Sequence, residues 1–123
     1  MAFKHNIPEM VQTEDEWSES GITSIAKEIR EKKEYEMIPI RFVIGLLNYS
    51  IHRMRVGSFL TACLENNLHQ ALSRADQQAQ LIIPVIMQFI FQELPSDCWG
   101  NSVRVKEWLE EGERRRKNAD SGD

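Results

Sequence analysis

The sequence predicts an all-α protein, a compact bundle of about five helices with a kinked central helix. Three observations lead there. Apolar residues recur at three- and four-residue intervals from Ile22 to Leu109, and residues that start or stop helices punctuate the pattern. No stretch of useful length alternates apolar with polar residues as a half-buried strand would.

With 123 residues the chain makes one domain. The expected division is an acidic arm over 1–21, a helical domain over 22–117 and a disordered polar tail over 118–123. Residues 1–20 hold Lys4 against Glu9, Glu14, Asp15, Glu16 and Glu19, with few regular apolar positions, so the arm orders only if it docks. Thr13-Glu14-Asp15-Glu16 fits a capping box and allows one helical turn near Trp17.

Ile22, Ile25, Ala26 and Ile29 fall on one face of a helix over 22–36, opposite a charged face. Pro39 suits the first position of a second helix, where its missing amide hydrogen costs nothing. Val43, Leu46, Leu47, Ser50, Ile51 and Met54 form that helix's core face, and Gly57 is the expected left-handed stop. Gly45 inside it implies a neighbouring backbone in close approach. Ser58 is the expected cap of a third helix, whose stripe runs from Leu60 through Asn67 to Ala75. Asp76 caps a fourth over 77–93, which Pro84 should kink or divide. Apolar residues surround most of its circumference from Leu81 to Phe91, marking a central element or an oligomer face. Pro95 to Gly100 reads as a turn with Trp99 folded onto the core. Asn101 or Ser102 then caps a last helix over 103–117, with Val105, Trp108 and Leu109 inward.

Composition excludes several functions. The net charge of −4 gives no general attraction to nucleic acid or anionic membrane. The apolar run from Leu81 is too short to span a bilayer, which needs about 20 residues. Cys63 and Cys98 lack the density of a secreted disulfide scaffold, and a cytoplasmic location is expected. No metal is expected, because the cysteines and His5, His52 and His69 show no CxxC, CxxH or HxxxH spacing. Cys63 sits on an apolar helix face where thiols are inert, and no base can be assigned to Cys98. Phosphate-binding glycine motifs are missing too. Neither an enzyme nor a cofactor is expected.

The remaining candidates are polar surfaces. Asn67 within an apolar stripe calls for an interhelix hydrogen bond, or, with Asn66 and Arg74, a ligand contact. Arg41, Arg53 and Arg55 form one basic cluster, and Arg114 to Lys117 another, interleaved with Glu110, Glu111 and Glu113. The first faintly fits a helix-turn-helix, but the following helix lacks the polar and basic residues of a recognition helix.

From Ile38 to about Leu109 the chain resembles a group of small phage and prophage proteins of proteobacteria. The likeness lies in Val56-Gly57-Ser58-Phe59-Leu60-Thr61-Ala62, Leu64-Glu65-Asn66-Asn67-Leu68, Arg74-Ala75-Asp76, Ile83-Pro84 and Glu93-Leu94-Pro95-Ser96, with Cys98-Trp99-Gly100. It implies a phage-borne accessory protein in the host cytoplasm and carries no site residues across. The function expected is non-enzymatic binding of a host or phage protein, inhibiting a host complex such as a defence system. Arg53, Arg55, Glu65, Asn66 and Arg74 form the expected contact surface. Self-association is expected to draw on residues 81–91 with Ile22, Ile25 and Ile29. Two alternatives stand beside this reading: a DNA-binding regulator, and an oligomeric sponge for a small nucleotide.

Overall fold

A computed structural model describes residues 19–121 of the chain, and the expected arm over 1–21 lies almost wholly outside them. The described residues form six α-helices and no strand. They are α1 (Glu19–Arg30), α2 (Ile40–His52), α3 (Ser58–Leu64), α4 (Leu68–Arg74), α5 (Gln77–Glu93) and α6 (Ser102–Ser121), with a 3-10 turn at Ser96–Cys98 before α6. The all-α expectation holds, with six helices in place of about five.

The extra helix comes from a break in the third predicted one. Asn66 takes a left-handed conformation, φ 60°, which asparagine tolerates better than most residues. Asn67 then caps α4, its side-chain oxygen accepting from the Gln70 amide at 3.1 Å. Asn67 is therefore exposed, and its partner is local rather than a bond between helices. The expectation of a buried register-fixing amide is overturned by ordinary capping chemistry.

α5 has the predicted boundaries, capped by the Asp76 carboxylate accepting from the Ala79 amide at 2.7 Å. Pro84 does not divide it. Pro84 faces solvent, and so does Gln80, whose carbonyl the proline cannot pair. The inner face of α5, including Ile82, Ile86, Phe89 and Ile90, is the core against which the other elements pack.

Other expectations need correction. Ile22, Ile25 and Ile29 are buried, so they serve this core and not an oligomer face. Met54 is exposed and Ile51 half-buried, because α2 ends at His52. The left-handed stop is Arg53, φ 56°, whose amide hydrogen bonds to the Asn48 and Tyr49 carbonyls. Gly57 is extended and precedes α3. A Cβ on Gly45 would meet only the Leu60 and Val56 side chains, at 3.5 and 3.7 Å, so no backbone approaches closely there. α6 continues past Lys117 to Ser121, so residues 118–121, expected in a disordered tail, are helical. Asn101 accepts from the Arg104 amide at 2.9 Å and begins that helix.

Two buried polar clusters tie the layers together. Tyr35, in the turns after α1, donates its one hydroxyl proton to the buried Glu93 at 2.7 Å, and its oxygen lies 2.8 Å from the Gln92 side-chain amide. Its ring meets Phe89 edge-on at 5.2 Å. The second cluster joins α2, the 3-10 turn and α6. Tyr49 donates to the Cys98 carbonyl at 2.6 Å, while the Trp108 indole donates to the Tyr49 carbonyl at 2.8 Å.

Buried titratable groups give the fold an alkaline limit. Desolvation pushes the thiols of Cys63 and Cys98 up to about 12, and raises both Tyr35 and Tyr49. Unfolded thiols and phenols ionise at about 8.5 and 10, so the unfolded chain releases protons that the folded one keeps. Groups with raised folded values stabilise fully below their unfolded values, and the benefit is lost as pH rises. Urea midpoints should hold level to about pH 8 and fall steadily towards pH 12. Midpoints still level at about pH 11 would contradict the burial described.

Candidate functional site

The outer side of α2 carries Arg41, Ile44, Gly45, Asn48 and His52, at i, i+3, i+4, i+7 and i+11, a single stripe opposite Val43, Leu46 and Leu47. Neighbouring elements rise on both sides of it. Ile22 and Thr23 of α1, and Leu109, Glu113 and Arg116 of α6, border a cavity of about 930 Å³ over Ile44, Asn48 and His52. Towards the start of α2, Val56, Phe59 and Leu60 border a second of about 360 Å³ over Arg41 and Gly45. Asn48, Met54 and Arg55 line both, so the two form one groove along the helix.

The groove has an apolar floor and a mostly cationic rim. Ile44, Met54 and Leu109 supply apolar surface, with Phe42 and Val56 at the far end. Arg41, Arg55, Arg116 and His52 stand along it, against Glu113 as the acid among its described lining residues. The Arg41 guanidinium lies 4.5 Å from the Phe42 ring centroid, and Arg116 donates to the His52 carbonyl at 3.0 Å. Arg55 pairs with Glu113 at 3.0 Å, but both side chains are more than half exposed, so the pair contributes at most about 1 kcal/mol and can open. Gly45 keeps the floor low where any side chain would begin to fill it.

The residues expected to form the contact surface do not form one site. Arg53 turns inward: its guanidinium stacks 3.5 Å from the Trp108 ring centroid and donates to the Trp108 carbonyl. Its pKa is lowered, by desolvation first and then by Arg115. That is a packing role, set by the left-handed turn. Arg55 and Glu65 do come together, lining a cleft of about 260 Å³ with Thr61 and Glu113. Asn66 serves the α3–α4 turn, and Arg74 donates to the Ser58 carbonyl at 3.3 Å. The second basic cluster is partly internal to α6, with Arg114 and Arg115 both paired to Glu111.

Arg116 was named only within the second basic cluster, and the sequence reading missed Ile44, Asn48 and His52 as site residues. Their signal was the mixed stripe on α2, with a glycine at its centre, facing away from the core. Among the described residues no group of three or more His, Cys, Asp or Glu is placed to hold a metal ion. No described helix is long and apolar enough to cross a membrane. No family model, curated protein or solved structure matches the chain.

Proposed function

We propose that this chain is a non-enzymatic accessory protein of phage or prophage type that seats an acidic, amphipathic helix of a host protein along α2, and so inhibits the host complex to which that helix belongs. The supporting observation is the groove: an apolar floor beneath Arg41, His52, Arg55 and Arg116, on a chain whose net charge is −4. A helix laid in such a trough buries residues at i, i+3, i+4 and i+7 on the floor. Its flanking carboxylates meet the rim, and the excess of cations there selects acidic over basic segments. The phage association rests on the likeness of residues 38–109, and the host target follows from it.

Fluorescence anisotropy with two labelled helical peptides tests this reading. Both carry leucine at groove spacing, one with glutamate and the other with lysine at the remaining positions. The acidic peptide should bind saturably, and the basic one at least about tenfold more weakly. Gly45→Leu, which fills the floor, and Arg55→Glu, which reverses the rim, should each cost about tenfold or more. Equal binding of both peptides, or acidic binding unchanged by both substitutions, would defeat the proposal. Tighter binding of duplex DNA, falling steeply with salt, would favour a DNA-binding regulator instead.

A further inference from the structure

α5, the longest uncharged stretch of helix among the described residues, carries no charged residue from Gln77 to Gln92. Its inner half is core, yet its outer half is also uncharged. Leu81 is 81% exposed and Phe91 51%, with Pro84 and Gln88 exposed between them and Val85 half-buried beside them. Leu68 and Leu72 of α4, both exposed, extend the apolar surface. The Gln80 side chain, donating to the Leu72 carbonyl at 3.2 Å, places α4 beside the start of the stripe.

We infer that this face is a self-association surface on which a second copy of the chain packs α5 against α5, antiparallel about a two-fold axis near Gln88. The occupant follows from charge. A face bearing charge of one sign repels its own copy, whereas one bearing only apolar groups and amides is complementary to itself. Each glutamine amide both donates and accepts, so amides meeting across a two-fold axis satisfy one another. A stable interface covers about 800 Å² per partner, about a tenth of the 7609 Å² surface of this chain. α5 alone is about 25 Å long, and the neighbouring leucines of α4 widen the strip towards that size. The α2 groove is separate from this face, so the inference does not depend on what the groove binds.

Gln88 lies near the middle of the outer face and is exposed, so its substitution leaves the core intact. Sedimentation equilibrium on the full chain should show wild-type mass rising towards twice the monomer as concentration increases. Gln88→Glu and Gln88→Lys each bring like charges together across the axis, and each should weaken self-association by roughly tenfold. Mixing the two variants should restore association as a heterodimer. Wild-type protein that remains monomeric at its highest soluble concentration would overturn the inference. So would a dimer indifferent to both substitutions, because its interface would lie elsewhere. Unchanged far-ultraviolet circular dichroism confirms that each variant is folded.

Discussion

Replacing Trp108 with alanine should lower the free energy of unfolding by about 3 kcal/mol, read from urea denaturation. The indole is the plate on which Arg53 stacks and the donor to the Tyr49 carbonyl, so its loss reaches α2 and the 3-10 turn as well as α6. The Arg53 guanidinium, already partly desolvated, would lose its stacking partner. Trp108→Phe separates the contributions. It keeps a ring face but not the indole donor, and should cost about 1 kcal/mol less than the alanine change. A loss below about 1 kcal/mol for Trp108→Ala would mean that α6 does not dock on α2 as described, and the groove would lose its Leu109 wall.

Gly112→Ala should also destabilise, by about 1–2 kcal/mol, although alanine favours a helix interior by about 1 kcal/mol. The reason is space. A Cβ at Gly112 would stand 2.5 Å from the Arg53 Cβ and 3.0 Å from the Arg53 carbonyl oxygen, and a backbone atom in a left-handed turn cannot yield cheaply. Gly45→Ala is the control. It has ordinary contacts only, so helix propensity should dominate and stability should rise by about 0.5–1 kcal/mol. Thermal melts of the two variants should therefore shift in opposite directions. A gain from Gly112→Ala would show that α6 is not held against the end of α2.

These two glycines illustrate what could be read from the sequence. Close approach was expected at Gly45, inside the best amphipathic pattern of α2, whereas it occurs at Gly112. Nothing local marks Gly112, because its neighbour Arg53 lies in a distant part of the chain. Elements whose ends are fixed locally were legible. Asp76 and Asn101 supply caps through their own side chains, and α5 begins where Asp76 predicts. The break between α3 and α4 was hidden because the apolar spacing from Leu60 to Ala75 continues across it. Leu68 and Leu72 satisfy that spacing while facing solvent.

The site was less legible than the fold. Charged and amide residues between Arg53 and Arg74 stood out by type, but Arg53 and Asn66 are occupied by turn geometry and Arg74 by a neighbouring carbonyl. The groove depends on which side of α2 its neighbours leave open. That is decided by walls contributed from α1 and α6, on either side of α2 in the chain. Arg55 alone belongs both to the expected surface and to the groove.

Titrating the isotopically labelled chain with the acidic amphipathic peptide, and following backbone amide shifts, tests the groove proposal most directly. Saturable shifts should concentrate in residues 41–57 and 109–116, and in Ile22 and Thr23, with α5 unmoved. Shifts centred on α5 or on the α3–α4 turn, or no saturable shift at all, would contradict it.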